Sequence, residues 1–213
     1  MSYNNYGNRY QRITPIVLNL IIINVLVWVA QLVLDKSTGL TDKIALFSYD
    51  SGLFKPYQLV TYMFAHASYD PDGSIVFFHI LLNMYALWMF GTALERVWGP
   101  KRFLIFYLAC GLAAGVAQMF LLKNGVSVGA SGAIMGLLAG FGYLFPNTQF
   151  YIIPIPVPIK AKYLVAIYAA IDLFGGLHPG KADNIGHFAH LGGMVMGFIL
   201  VIIWNKTNKK TFY

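Results

Sequence analysis

Residues 129–146 read Gly-Ala-Ser-Gly-Ala-Ile-Met-Gly-Leu-Leu-Ala-Gly-Phe-Gly-Tyr-Leu-Phe-Pro, a run without a charged side chain and with a serine, Ser131, at its head. A second run, 186–204, opens on Gly186-His187-Phe188-Ala189-His190-Leu191-Gly192-Gly193 and stays apolar to Trp204. Roughly 20 such residues cross the hydrocarbon core of a bilayer. A nucleophile and a possible base, each at the head of a span, point to chemistry inside lipid, where polar groups are costly and kept for function.

Composition places the whole chain in that setting. Of 213 residues, 58% are hydrophobic and 11% charged, against about 25% charged in soluble domains. The net charge of +7 suits nucleic acid or an anionic surface equally, but its distribution follows membrane topology, so no nucleic-acid partner is expected and the bilayer is the partner. Cys110 is the single cysteine and lies in an apolar stretch, which excludes an intramolecular disulfide. The first apolar stretch is longer than a signal-peptide core and is followed by no small-residue cleavage pattern, so it reads as a retained span.

Apolar length predicts six spans, near 14–34, 75–94, 103–122, 129–146, 161–177 and 186–204. The segment from Ile44 to Ala67 is also apolar, but Tyr49-Asp50-Ser51-Gly52 and Lys55-Pro56 interrupt it; it reads as a loop in the interface. Residues 1–13 and 205–213 read as a flexible tail and a basic tail. With the N-terminus cytoplasmic, ten of the fifteen Lys and Arg residues fall in inner segments and five in outer ones, while seven of the eight acids fall outside, Glu95 excepted. The positive-inside rule favours that orientation, with both termini cytoplasmic. It also brings His79, Ser131 and His190, each early in an inward-running span, to one depth in the outer leaflet.

Small-residue clusters such as Gly129-Ala130-Ser131-Gly132 usually serve helix packing in membranes. Gly132, Gly136 and Gly140 form a stripe at every fourth residue, and Gly186, His190, Gly193 and Gly197 form a comparable one. Two such stripes let the backbones approach, and the same contact carries the His190 imidazole to the Ser131 hydroxyl. A serine needs a base to remove its proton, and neutral histidine suits that task near pH 7. No carboxylate lies deep in any span. Asp172, toward the outer end of the fifth, is the nearest candidate for a third member, so a Ser–His dyad is expected rather than a triad.

His79 and Asn83, four residues apart, share a helix face about 6 Å apart along the axis. A lone intramembrane histidine admits structural, metal-binding and proton-relay readings. The pair also suits hydrogen-bond donation to an oxyanion. The spacing of His66, His79, His187 and His190 matches no common zinc motif, so no metal and no other cofactor is expected. His66 and His187 read as hydrogen-bonded structural residues, and His178 as solvated.

Together these residues resemble the rhomboid intramembrane serine proteases. The pieces are Tyr62-Met63-Phe64-Ala65-His66, His79-Ile80-Leu81-Leu82-Asn83-Met84, Leu94-Glu95-Arg96-Val97-Trp98-Gly99, Gly129-Ala130-Ser131-Gly132 and Ala189-His190-Leu191-Gly192-Gly193. Their order and spacing, across residues 58–203, carry the resemblance. It implies an all-α membrane protein, a six-transmembrane-helix rhomboid-like bundle over residues 14–204, with residues 35–74 as a partly embedded first outer loop. It further implies Ser131 as nucleophile, His190 as general base, and His79 and Asn83 lining the oxyanion hole. Many relatives carry Trp-Arg where this chain has Pro56-Tyr57, and an aromatic residue where it has Met135.

The expected function is endopeptidase cleavage of transmembrane protein substrates near the outer ends of their helices, through an acyl-enzyme. The alternative is a catalytically inactive rhomboid-like protein that binds membrane proteins and controls their fate. A multi-pass protein of a prokaryotic cytoplasmic membrane, its active site opening to the outer face, is implied by the resemblance. A small transporter would show broken helices in repeated halves, and the sequence has none.

Overall fold

The computed structural model describes residues 13–70, 72–121, 125–151, 157–178 and 185–207. The expected tails therefore lie almost wholly outside the described residues. Helix α1 (Pro15–Thr38) leads into a short α2 (Leu40–Ile44) and α3 (Gln58–Thr61). Helix α4 (Phe77–Ala86) continues through a wide turn of π-helix, Leu87–Gly91, into α5 (Thr92–Trp98). Then come α6 (Pro100–Leu121), α7 (Ser131–Leu144), α8 (Ala161–Leu177) and α9 (His187–Thr207). Two small antiparallel ribbons complete the described chain: β1 (Leu46–Phe47) with β2 (Val126–Ser127), and β3 (Gln149–Phe150) with β4 (Ile159–Lys160).

Among the described residues, four helices are long and apolar enough to cross a bilayer: Pro15–Thr38, Phe77–Trp98, Pro100–Leu121 and His187–Lys206. Their outward faces carry exposed Leu26, Val33, Phe78, Leu82, Phe120 and Val195, a surface that water would penalise and lipid accepts. The chain is a multi-pass membrane protein of mainly helical architecture. Helices α7 and α8, of 14 and 17 residues, cover the fourth and fifth expected spans. Expected span two stops at 94, whereas the helix runs on through Glu95-Arg96 to Trp98 and ends at Gly99, whose φ of +76° breaks it. Segment 44–67 is a folded loop of β1, a 3₁₀ turn and α3.

Helix α7 is the hub, packing on α6, α8, α9 and the π turn. It meets α9 backbone to backbone. A Cβ added to Gly193 would fall on the carbonyl oxygen of Gly132, and one on Gly197 would lie 2.8 Å from the Cα of Gly136. Without a hydrophobic gain from leaving lipid, helices associate through such contacts. The stripe on α7 also serves α6: a Cβ on Gly132, Gly136 or Gly140 would meet Ala114, Cys110 or Phe106 first, and at Gly140, where the Phe106 and Trp98 rings lie at 3.0 and 3.2 Å, none of the nearest atoms is on α9.

Glu95, the acid that the charge pattern singles out, is buried at 3% exposure. Its carboxylate closes the start of α1 from across the bundle, accepting from the backbone N–H groups of Ile16 (3.0 Å) and Val17 (2.9 Å) and from the Thr14 hydroxyl (2.6 Å). The first amides of a helix have no partner within it, and a negative group there also meets the favourable end of the helix dipole. Glu95→Ala leaves these donors unpaired, at about 1–3 kcal/mol for each buried group. We expect a loss of about 3 kcal/mol in unfolding free energy, read as a lower thermal midpoint in detergent; an unchanged midpoint would sink this assignment.

The loop before α4 docks on α1 by polar side chains from inside the helix. Gln31 donates to the carbonyl of His66 (2.9 Å) and to Thr41 Oγ1 (2.8 Å), and accepts from the His66 N–H (2.9 Å). Asn24 gives its amide to the Leu20 carbonyl, so its Oδ1 is left to accept from His66 Nε2 at 2.8 Å. Burial, with His79 close by, holds the His66 imidazole far below its ordinary pKa, at about 3. The unfolded chain then binds a proton that the folded one refuses, so this contribution to stability is whole above about pH 6.5 and is lost as pH falls toward 3. Thermal midpoints of wild type should drop across that window, and those of His66→Gln should drop less; parallel curves would contradict it.

Candidate active site

The turn that delivers Ser131 is fixed at both ends. The β1–β2 ribbon holds Val126 and Ser127, and the Gly129 N–H donates to the Tyr62 carbonyl at 2.9 Å. Gly129 has φ +123°, a value side-chain-bearing residues avoid. The cap position of α7 is Ala130, whose methyl accepts nothing. Ser131 is the first residue of α7, beside N–H groups that no side chain caps. On α9 a glutamine does cap: Gln118 Oε1, from α6, accepts the Ala189 N–H at 2.9 Å. That bond fixes the turn of α9 holding His187 and His190.

Ser131 Oγ lies 3.0 Å from His190 Nε2. The other ring nitrogen, Nδ1, lies 3.0 Å from Oδ1 of Asp172 on α8. A carboxylate only accepts, so Nδ1 carries the proton and Nε2 presents its lone pair to the serine hydroxyl. The same Oδ1 takes a second hydrogen bond, from His187 Nδ1 at 2.8 Å. This corrects the expected isolation of the Ser–His pair. Asp172, toward the outer end of its span in the sequence, is 3% exposed, with His187 at 6%. Sequence distance from a span's end measures depth along one helix; it does not reveal which neighbour faces that depth.

His79 stands beside the turn that leads into Ser131. Its Nδ1 accepts the Ala67 N–H at 3.2 Å, so the neutral ring bears its proton on Nε2. That nitrogen is directed at Gly129, where an added Cβ would lie 3.1 Å away. A donor is thus placed beside the start of α7, as an oxyanion stabiliser requires. Asn83 is buried on the same helix and donates its amide to the His79 carbonyl at 2.8 Å, a bond that ties it to its own turn.

The remaining expected residues separate cleanly. His66 is part of the loop anchor. Exposed His178 stacks on Phe174, ring centroids 4.7 Å apart. Cys110 is buried where Gly136 leaves it room. Met135 is half-buried against the core, and Tyr57 is exposed beside α3. Sequence reading passed over Gln118, Asn24 and Gln31. The available signal was a polar side chain within an otherwise apolar span, and for Asn24 and Gln31 their seven-residue spacing on one face.

The rhomboid domain family model matches residues 53–206. The chain belongs to the rhomboid family. It is similar to Rhomboid protein 1, mitochondrial, of Saccharomyces cerevisiae, at 35% identity over 58% of this chain and 37% of the relative. RHOMBOID-like protein 6, mitochondrial, of Arabidopsis thaliana is 34% identical over 69% of this chain and 43% of its own length. Rhomboid protease GluP of Bacillus subtilis is 36% identical over 56% of this chain and 22% of its own length. The chain thus spans less than half the length of these relatives.

In this rhomboid the pairing of Ser131 with His190 rests on the glycine contact below it. Gly197→Ala would set a Cβ 2.8 Å from the Cα and 3.0 Å from the carbonyl carbon of Gly136, atoms that cannot swing aside. Overpacking of this kind costs about 1–3 kcal/mol. A displacement of about 1 Å between reacting groups costs about 100-fold in rate. We expect a lower thermal midpoint together with at least about tenfold slower labelling of Ser131 by a fluorophosphonate; unaltered labelling would show that the contact does not set the pair.

Proposed function

We propose that this chain is an intramembrane serine endopeptidase that hydrolyses peptide bonds in or near the outer ends of transmembrane helices. The observation that carries the reading is the 3.0 Å contact between Ser131 Oγ and His190 Nε2 at the adjoining starts of α7 and α9. His190 Nε2 takes the hydroxyl proton as Ser131 Oγ attacks the peptide carbonyl carbon. The carbonyl oxygen becomes an oxyanion beside His79 Nε2–H and the uncapped N–H groups of α7. His190 then gives its proton to the departing amine, leaving an acyl-enzyme. Water, deprotonated by the same nitrogen, releases the acid and restores the serine. Asn83 joins the oxyanion site with the amide proton it does not give to His79.

The reading carries an architecture with it. Six helical segments, α1, α4 through α5, α6, α7, α8 and α9, make the six spans, both termini face the cytoplasm, and residues 14–204 form the membrane domain, with 35–74 as its first outer loop and short tails on either side. Helix α7, at about 21 Å for its 14 residues, falls short of a hydrocarbon core of about 30 Å. Ser131 is then recessed at its outer end, open to water from the outer face of the cell membrane. Local unwinding of a substrate helix exposes the scissile carbonyl, which favours substrates with small or helix-breaking residues at that depth.

Purified protein in liposomes, treated with a fluorophosphonate, tests the assignment. Wild type should label, and Ser131→Ala and His190→Ala should not. Labelling that survives Ser131→Ala would overturn the site. A folded wild type that neither labels nor cleaves transmembrane substrates would favour a non-catalytic role in binding membrane proteins.

A further inference from the structure

We propose that Asp172 is a positioning residue for His190, and that His187 holds Asp172 in place, so that the working unit is a chain from Ser131 through His190 and Asp172 to His187. The inference rests on the serine-protease reading above and extends it to α8. One oxygen, Asp172 Oδ1, accepts from Nδ1 of His190 at 3.0 Å and from Nδ1 of His187 at 2.8 Å. The two histidines stand one turn apart on α9 and share a face. The groups around His190 are therefore Ser131 from α7, Asp172 from α8, His187 on its own helix and His79 from α4.

Two features show that this contact is built rather than incidental. Gly175, three residues after Asp172, is where α8 lies against the His187 ring; a Cβ there would overlap the imidazole. A side chain at 175 would force either the His187 ring or α8 to move and so break the contact of His187 with Asp172. Second, Asp172 Oδ2 is buried and meets no donor among the described residues. A half-satisfied buried carboxylate costs stability, and a polar or apolar pair would join α8 to α9 more cheaply. The carboxylate is accounted for by what it does to His190. It fixes the proton on Nδ1, which leaves Nε2 free to accept from Ser131, and it opposes the positive charge that forms when Nε2 takes that proton. His187 supplies the second donor that keeps Oδ1 turned toward His190.

The test is the rate of fluorophosphonate labelling of full-length protein in liposomes as a function of probe concentration, separating the maximal rate from half-saturation. Asp172→Asn preserves the shape and removes the charge. Its maximal rate should fall by about 100-fold or more, with half-saturation within about twofold and every residual label on Ser131. A carboxylate that merely ties α8 to α9 would lower the thermal midpoint and leave the maximal rate unmoved. That result would overturn the inference while leaving Ser131 and His190 in place. A wild type that does not label at Ser131 overturns both readings. Should Asp172→Asn fail to fold, the pair His187→Leu and His187→Asn decides. The asparagine amide replaces the lost Nδ1 donor and should recover most of the rate that leucine loses; equal rates in the two would reject the proposal.

Discussion

The backbone contact between α7 and α9 is the constraint on which the rest of this structure depends. Gly132 and Gly136 on one helix, with Gly193 and Gly197 on the other, remove every side chain from the line of approach. A serine hydroxyl and an imidazole reach only a few ångströms from their backbones. Two helices separated by ordinary side chains, with axes 8–10 Å apart, would hold these groups less closely. The glycines are therefore packing and chemistry at once. The hydrogen bond from Ser131 to His190 is a geometric consequence of how near the two helices come.

Close packing of that kind leaves the polar groups of the bundle interior with few possible partners, and four of them are handled by specific devices. Glu95 closes the start of α1, Gln118 closes the start of α9, and Gln31 and Asn24 hold the loop that runs into α4. Asn24, Gln31 and Gln118 lie within spans that composition alone reads as apolar, and Glu95 lies just past the end of one. In lipid an unmade hydrogen bond has no water to fall back on, so a glutamine in such a helix needs a partner across the bundle. The loop held by Gln31 is part of the site: Tyr62 accepts from Gly129, and Ala67 donates to His79. Side chains of α1, remote in sequence from Ser131, thereby set the turn that presents it and the tautomer of the histidine facing it.

Much of this was legible in the sequence, for identifiable reasons. Apolar runs bounded by charge locate the long helices, because lipid forbids anything else at that depth. Ser131, His190 and His79 are legible as a group because alternate spans run in the same direction, so an early position in each means a common depth. Asp172 was set aside because depth was judged from its own helix. Its neighbours are fixed by how α8 rotates about its axis and by Gly175, neither of which a linear reading supplies. Gly140 failed in the converse way: it keeps the four-residue spacing of its stripe, but the atoms nearest it are those of the Phe106 and Trp98 rings and none is on α9. Periodicity specifies a face; the crossing of two helices decides how much of that face is used.

Burial is unevenly distributed among the helices that make the site. Ten of the residues of α7 are buried, but only Ala161, Leu164 and Asp172 of α8 are. Most of α8 turns apolar side chains outward, among them Phe174 and Leu177. The elements with fewest buried contacts open at the lowest free energy. The serine thus sits on the helix richest in buried residues, while the carboxylate behind the histidine sits on one of the least buried. Outside its buried first turn, α8 keeps its place against α9 through Asp172 and the glycine gap at Gly175, both of which converge on His187. The polar contact that completes the site is therefore also a principal bond holding that helix to it, and the two cannot be separated by any movement of α8 that breaks one of them.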